Sequence, residues 1–281
     1  DEEEVRTYLP LVRQVVQRML PRKPAEVAAE DLISWGTVGL LDAMRVGPDT
    51  GGNIGSPHGS RLWFLNGRVW WNDPDCVFVR KNLTIDRARL NATWTAIAGQ
   101  LFYTSDWMPE TPAERLDIVK RCIPAHGLPA RPVDVFESDV AKVWLLTDAR
   151  QAARRDVVAL YNWGDKDDAI NITADRVGLP KADQYVAFDF WANKFIAPFS
   201  GTIKATLSGN SCRILAVRPV SDVPQLLSTS RHVTQGIVDV TGEKWDAAES
   251  VPTATGKVVE NEPYELRIIL PVGGNPGAPR M

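Results

Sequence analysis

This sequence of 281 residues has only three cysteines, three histidines and no long hydrophobic run. No apolar stretch approaches the roughly 18 residues that a membrane span requires, which argues against a membrane-spanning protein. The first residues, DEEEVRTYLP, are acidic and have no apolar core, so no export signal is visible. We therefore expect a cytoplasmic protein.

Cysteine and histidine are too sparse to form a metal site or a disulfide framework. The cysteines are odd in number, far apart and without CxxC spacing, which fits a reducing compartment: Cys76, Cys122 and Cys212. The histidines have no second His or Cys at ligand spacing: His58, His126 and His232. The sequence therefore predicts no metal and no cofactor.

An excess of charge of one sign is also missing. The net charge is −3, so nothing global attracts the chain to nucleic acid or to an anionic membrane. What the chain does have is ten tryptophans against five tyrosines. Tryptophan fills cores, but it also provides flat apolar platforms that suit the apolar face of a sugar ring. The composition therefore favours a carbohydrate ligand.

The fold class we predict is an α+β multidomain protein: an N-terminal helical pair, a partial (β/α) barrel segment and a C-terminal antiparallel β-sandwich. In residues 1–46, apolar residues recur at spacings of three and four from Val5 to Leu20, which is typical of an amphipathic helix. A second helix is predicted over Ala28 to Met44. Its Gly36 and Gly39 indicate a close helix contact or a bend.

Two further segments differ in composition. Residues 47–60, GPDTGGNIGSPHGS, predict a linker. Residues 61–123 alternate strand and helix signals, which is typical of a parallel sheet or barrel. The predicted elements are strands within Arg68–Val79 and Leu101–Tyr103, and helices over Asp86–Gly99 and Pro112–Cys122.

After the Pro-rich connector 124–132, residues 133–270 show short strand signals separated by turn signals, a pattern typical of an antiparallel sandwich. The tail, 271–281, is expected to be disordered. The candidate strands are Lys142–Leu146, Asp156–Tyr161, Gln184–Asp189, Thr202–Leu207, Cys212–Val217, Gln225–Ser228, Gly236–Val240 and Glu265–Leu270.

The stretch WWNDPDC, Trp70 to Cys76, has the strongest chemical signal. In an extended chain Asp73 and Asp75 point to the same face. The acid and the nucleophile of a glycosidase normally come from different strands, on opposite sides of the bond, so we interpret this pair as hydrogen-bonding groups for sugar hydroxyls. An Asx-Pro turn that ends a strand explains the same residues equally well.

With its neighbours, this stretch resembles the α-galactosidase clan of glycoside hydrolases. The resemblance starts with RVWWNDPD and the apolar run that follows, and it covers about residues 61–270. Further matching segments follow in the same order: Gly99–Trp107, Pro112–Leu116, Asp156–Trp163 and Phe188–Trp191.

The resemblance implies a (β/α)₈ catalytic barrel followed by a C-terminal β-sandwich. One group of residues would lie at the C-terminal end of the seventh barrel strand: Trp71, Asn72, Asp73 and Asp75. Asp106, followed by Trp107, would end the eighth strand. Barrel enzymes build their sites at these strand ends, so we expect all six residues to bind substrate.

The clan's nucleophile and acid/base are aspartates at the ends of the fourth and sixth strands, and this sequence shows no counterpart of either. A barrel cannot close on two of its eight strands, because its diameter, tilt and shear depend on strand number. We therefore expect a retaining α-galactosidase-type portion without its catalytic nucleophile and acid/base, and we assign no catalytic residue.

The first segment resembles a different family. YLPLV at Tyr8–Val12 and DLISWGTVGLLDA at Asp31–Ala43 are similar to the first helices of bacterial sigma factors. The resemblance implies that Asp31, Leu40 and Leu41 dock on RNA polymerase. Residues 1–46 carry eight acidic and six basic side chains, so we expect poor DNA binding.

Two unrelated partial resemblances that meet at a Gly-rich stretch indicate a chimera, with a bacterial N-terminal part. The function we predict is glycoside hydrolase-like, with α-galactosides as the analogous substrates and no activity in this chain as it stands. The alternative is a sigma-factor-like polymerase-binding segment fused to a non-catalytic sugar-binding or structural module.

Overall fold

The structure is a computed structural model that describes residues 2–22, 27–46, 59–138, 140–151 and 153–271. The chain divides into two compact units, Asp1–Gly51 and Gly52–Met281. The predicted linker and the predicted tail lie almost entirely outside the described residues.

The first unit is a pair of helices, α1 over Glu2–Met19 and α2 over Ala29–Val46, with a 3₁₀ turn at Leu20–Arg22. Val12 and Val16 of α1 are buried. A Cβ atom added to Gly36 of α2 would lie 2.7 Å from Cγ1 of Val12, so the two helices approach closely at this glycine. The expected close helix contact is confirmed at Gly36.

Within its described residues, the second unit contains three complete helices and twelve strands, with further helical residues at 59–61 and a 3₁₀ turn at Met108–Glu110. The helices are α3 Ile85–Ala98, α4 Ala113–Arg121 and α5 Ala174–Val177. The strands are β1 Arg131–Pro132, β2 Val143–Asp148, β3 Arg155–Asn162, β4 Asp168–Thr173, β5 Tyr185–Asp189, β6 Lys194–Phe199, β7 Thr202–Leu207, β8 Ser211–Pro219, β9 Gln225–Thr229, β10 Val240–Asp246, β11 Val251–Gly256 and β12 Leu266–Ile269.

All of these strands pair antiparallel. Six form one sheet in the order β1-β2-β3-β8-β5-β6, and the others form the pairs β4–β7, β9–β12 and β10–β11. The predicted antiparallel β-sandwich is confirmed. Its two layers are the six-stranded sheet and the β4–β7 pair, which share one core.

Successive side chains of a strand point to opposite sides, and the central strands β2, β3 and β5 are buried on both faces. Leu145 of β2 and Val158 of β3 pack toward the β4–β7 pair. Their neighbours Trp144 and Ala159 belong to a second core that includes α3. The sheet is therefore the middle layer of the unit, with α3 and α4 on one side and β4–β7 on the other.

Helix α3 is the central element of the second core. Its first turn is capped by Thr84, whose hydroxyl accepts a hydrogen bond from the backbone N–H of Arg87 (3.2 Å). It ends at Gly99, whose φ of 69° is in the left-handed region that favours glycine. Its Trp94 makes edge-on ring contacts with Trp144 and Trp163 of the sandwich.

The two strands predicted in residues 61–123 do not form as regular strands. Residues 71–80 and 101–105 have no regular secondary structure, and they are joined by hydrogen bonds from Leu101 N to Asn72 O (3.0 Å) and from Val77 N to Tyr103 O (2.8 Å). Between these bonds Pro74 has no N–H, and Asp75 has a φ of 70°. Pro74 and Asp75 therefore interrupt the backbone hydrogen bonds that a continuous strand ladder would need.

The predicted strand Gly236–Val240 is also wrong. Residues 233–239 form turns, in which Gln235 and Gly236 both have positive φ, and β10 begins only at Val240. Five strands were not predicted: β1, β4, β6, β10 and β11. Strands β6 and β11 are largely exposed and include a proline each, which weakens the strand signal in their sequences.

Candidate functional site

Asn72 is the structural centre of the WWNDPDC segment. Its backbone N–H donates to Oδ1 of Asn66 (2.8 Å), and its side-chain amide donates to the carbonyl of Leu62 (3.2 Å). Its Oδ1 accepts from the indole N–H of Trp70 (2.9 Å). Asn66 donates in turn to the carbonyls of Ala98 and Gly99 at the end of α3. The buried Asn72 side chain therefore anchors the segment against α3.

Asp73 and Tyr103 form the exposed polar pair of the site. The phenol of Tyr103 donates to Oδ1 of Asp73 (2.5 Å), and the same oxygen accepts from the backbone N–H of Asp75 (2.9 Å). The hydrogen bond to Asp73 and the nearby negative charge raise the pKa of Tyr103 to about 12. At neutral pH the Tyr103 phenol is therefore protonated and donates to the exposed Asp73 side chain.

Asp75 lies beside this pair in a strained backbone conformation. Its φ of 70° is in the left-handed region, which Asp tolerates better than most residues because its side chain can bond the local backbone. Its carboxylate accepts from the N–H of Cys76 (2.6 Å). Asp73 thus makes the side-chain-to-backbone bond of an Asx turn, Asp75 bonds the N–H of the next residue, and both side chains remain exposed.

Asp106 is held inside the protein. Its carboxylate accepts from the backbone N–H of Val79 (2.5 Å) and from Nε of Arg80 (2.8 Å), and its side chain is 2% exposed. Arg80 itself lies over the Phe78 ring, 3.9 Å from the centroid. Asp106 therefore connects the end of residues 101–105 to the end of residues 71–80.

A cleft of about 370 Å³ lies next to Asp106, and we call it the Asp106 cleft. It is lined by Arg80, Lys81, Ser105, Asp106, Trp107, Glu110, Thr111 and Pro112. Trp107 is 70% exposed and can offer a ring face to a ligand. Trp71 is also exposed, with its ring against Gly67, but it does not line this cleft.

The six predicted substrate-binding residues thus have three kinds of environment. Asn72 and Asp106 have hydrogen-bond partners within the protein. Asp73 and Asp75 lie on one exposed loop. Trp71 and Trp107 present exposed aromatic surface. Only Asp106 and Trp107 line a common cleft.

Tyr103 and Arg115 were not predicted as site residues. Tyr103 could have been found from its place in the segment that ends at Asp106. Arg115 of α4 is buried and donates to the carbonyls of Val79 (2.9 Å), Arg80 (2.8 Å) and Leu83 (2.8 Å). Its sequence neighbours on α4 give no indication that it reaches three carbonyls of another segment.

The residues predicted to dock on RNA polymerase lie on α2. Asp31 is exposed in the first turn, and Leu40 is half-buried. The side chain of Leu41 lies outside the described residues.

The two described histidines have structural positions. Nε2 of His126 lies 2.9 Å from the carbonyl of Ala96 and 3.1 Å from that of Ile97, at the end of α3, and burial lowers its pKa. His232 is fully buried beside Thr234, and burial lowers its pKa to about 3. Among the described residues, no group of His, Cys, Asp and Glu side chains could hold a metal ion. His58 lies outside the described residues.

The architecture of the second unit is that of an antiparallel β-sandwich with a helical layer and a loop-borne polar and aromatic site. Residues 142–217 match the profile of the α-galactosidase C-terminal β-sandwich domain. The C-terminal part of the chain is therefore similar to the α-galactosidase clan. No match was found among curated proteins.

Solved structures with similar folds include three glycosidases. The α-galactosidase I of Mortierella vinacea is 18% identical with a TM-score of 0.42, over 53% of this chain and 40% of that one. A GH27 β-L-arabinopyranosidase of Geobacillus stearothermophilus is 17% identical with a TM-score of 0.48, over 57% and 40%. An α-galactosidase of Saccharomyces cerevisiae is 16% identical with a TM-score of 0.45, over 57% and 50%. This chain thus spans half or less of each of these proteins.

None of the helices that the structure describes is long and apolar enough to cross a membrane.

Proposed function

We propose that residues 59–271 are the C-terminal part of a retaining α-galactosidase-type glycoside hydrolase and form one wall of a galactoside site. The observation that carries the proposal is the match of residues 142–217 to the α-galactosidase C-terminal β-sandwich. In support, Val77 and Val79, which directly follow the WWNDPDC segment, and α3 share a core with that sandwich, so the candidate site and the matched domain belong to one folded unit.

The wall would recognise sugar through exposed groups. The Asp73 carboxylate and the Tyr103 phenol lie together and can bond sugar hydroxyls. Trp71 and Trp107 offer apolar faces for sugar rings. Asn72 and Asp106 would act as positioning residues, because their side chains hold the two loops in place.

We further propose that this wall does not cleave the glycosidic bond. A retaining glycosidase needs two carboxyl groups about 5–5.5 Å apart, flanking the bond. Asp73 and Asp75 lie on one loop and would approach a sugar from the same side. The Asp106 carboxylate is occupied by two donors from Val79 and Arg80. The described residues near the cleft therefore supply sugar contacts rather than an acid and a nucleophile.

The test combines an α-galactoside hydrolysis assay with calorimetry of galactose binding to the full chain. We expect no turnover and weak binding, in the millimolar range that corresponds to about −4 kcal/mol. Asp73→Asn should weaken binding, and Asp183→Asn, a change of an exposed aspartate in the sandwich, should not. Turnover abolished by Asp73→Asn would refute the non-catalytic assignment, and no heat at millimolar galactose would refute the sugar site.

A second candidate function concerns the first unit alone. Six apolar side chains of the helical pair are between 47% and 61% exposed: Tyr8, Leu11, Val15, Met19, Trp35 and Val38. We propose that these side chains form an interaction surface. It favours the proposal that α1 and α2 dock on RNA polymerase, as the sigma-factor resemblance implies.

A pull-down with core RNA polymerase tests this second candidate. Trp35→Ala combined with Val38→Asp should abolish capture, whereas Gln14→Glu, an exposed polar change on α1, should leave it intact. Equal capture of both variants would contradict docking through α2.

A further inference from the structure

A second groove, of about 500 Å³, lies on the sandwich, and we call it the Trp245 groove. Its lining includes Arg154, Arg218, Gln225, Glu243, Lys244 and Trp245, with prolines between them. It shares no residue with the Asp106 cleft. A groove of this size holds a small organic molecule, such as one of a few sugar rings.

The floor of the groove is a buried charge cluster. Arg218 makes a bidentate contact with the Glu243 carboxylate, with both N···O distances 2.9 Å. Arg155 adds a third contact to that carboxylate at 2.6 Å. The side chains of Arg155 and Arg218 are 6% and 8% exposed, so the cluster is largely desolvated.

A bulge in the backbone of β10 places Glu243 in this cluster. Gly242 has a φ of 65°, and the β10–β11 pairing shifts register between Thr241 and Lys244, which together form a β-bulge. Gln151 clamps the bulge, because its side chain accepts from Gly242 N (2.8 Å) and donates to Val240 O (3.1 Å). The bulge places Glu243 on the two arginines and leaves its neighbour Lys244 exposed at the groove.

The groove lining has an excess of positive charge. Arg154 is paired with Asp156, at 2.8 and 2.9 Å, and Glu243 is shared between Arg155 and Arg218. Asp239, which does not line the groove, also interacts electrostatically with Arg155. Lys244 has no ion pair among the described residues, so its charge is uncompensated at the groove.

The half-buried Trp245 follows Lys244 directly and adds an aromatic surface to the same groove. An aromatic ring suits the apolar face of a sugar, and the ammonium group of Lys244 suits a carboxylate or sulfate. We propose that the Trp245 groove binds an anionic saccharide, a sugar that carries a carboxylate or sulfate group. This site is independent of the galactoside wall proposed above.

The test is calorimetry on the full chain with three probes: digalacturonate, its neutral analogue galactobiose, and inorganic sulfate. Digalacturonate should bind at least roughly tenfold more tightly than either of the others, and added salt should weaken its binding because exposed charges are screened. Equal binding of galactobiose would overturn the role of charge, and equal binding of sulfate would overturn the role of the sugar ring.

Variants locate the site. Lys244→Glu and Trp245→Ala should each weaken digalacturonate binding by roughly tenfold or more. Lys194→Glu, which makes the same charge change on the exposed strand β6, should have no effect. Lys244 is exposed, so its variant is expected to fold, and circular dichroism checks this. Unchanged binding in Lys244→Glu, or an equal loss in Lys194→Glu, would overturn the proposal.

Discussion

Asp73 and Asp75 lie two residues apart but make different bonds. Asp73 accepts from Tyr103, 30 residues away in sequence, whereas Asp75 bonds only the next backbone N–H. The sequence pattern allowed both a sugar-binding pair and an Asx turn. The structure contains the turn and leaves both carboxylates exposed, so the two interpretations are compatible.

The Asp73–Tyr103 bond predicts a shift in titration. Asp73→Asn removes the negative charge and the strong acceptor, so the pKa of Tyr103 should fall from about 12 toward the ordinary value of 10.0. Alkaline titration of tyrosinate ultraviolet absorbance measures the shift, and Tyr103→Phe identifies which transition belongs to this residue. An unchanged titration curve in Asp73→Asn would contradict the bond.

His232 predicts a loss of stability in acid. Burial lowers its pKa from 6.5 to about 3, so between these values the unfolded state binds more protons than the folded state. The stability that the neutral, buried His232 contributes is fully present above about pH 6.5. On acidification from about pH 6.5 to about pH 3, the free energy of unfolding should fall by up to about 1.4 kcal/mol per pH unit. Urea unfolding at a series of pH values measures this slope. His232→Asn should reduce the slope, and an unchanged slope would show that other groups dominate.

At the scale of elements, side chains bond the backbone groups of residues 79 and 80 that a strand ladder would otherwise pair. The N–H of Val79 bonds to Asp106, and the carbonyls of Val79 and Arg80 bond to Arg115. Most buried backbone groups need such partners. The apolar run Val77–Val79 predicted a buried extended segment, and Val77 and Val79 are buried. The partners of its backbone could not be predicted, because Asp106 and Arg115 are 27 and 36 residues away from Val79.

The end of α3 allows a matched test with two glycines that both have left-handed φ angles, 69° for Gly99 and 65° for Gly127. An alanine at Gly127 meets nothing within 4 Å, so it should cost only the conformational strain of about 1–2 kcal/mol. An alanine at Gly99 would meet His126 at 3.0 Å and the carbonyl of Leu128 at 3.2 Å.

Gly99→Ala should therefore lower the free energy of unfolding by about 1–3 kcal/mol more than Gly127→Ala, the usual cost of overpacking. Chemical denaturation of the two variants beside the parent chain measures the difference. Equal destabilisation would show that α3 and the His126 loop can separate at little cost.

At the scale of the whole molecule, the six-stranded sheet links the candidate site to the sandwich. Trp144, Tyr161 and Ile214 are fully buried on the face toward α3. The indole N–H of Trp191 also donates to Thr93 of α3 (3.0 Å). Trp144 is buried in this core, and Trp163 and Trp191 pack against it.

This layering predicts the outcome of two truncations. Removal of residues 1–51 should leave the unfolding midpoint of the second unit unchanged, because the helical pair is a separate compact unit. A fragment of residues 125–271 should aggregate or unfold more readily, because it exposes the aromatic face that α3 covers. Thermal unfolding and size-exclusion chromatography compare the two. A stable, monomeric 125–271 fragment would contradict the shared core.

The sequence by itself determined the local features: the helices α3 and α4, most sandwich strands to within a few residues, and the change of composition near residues 124–132. These follow from apolar periodicity, caps and turn residues, which act over a few positions. Tertiary structure alone decided that Asp106 is buried against Arg80, that Tyr103 meets Asp73, and that a bulge turns Glu243 onto two arginines. Each of these pairs joins residues about 25 or more positions apart, and their bonds depend on how the layers pack rather than on any local pattern.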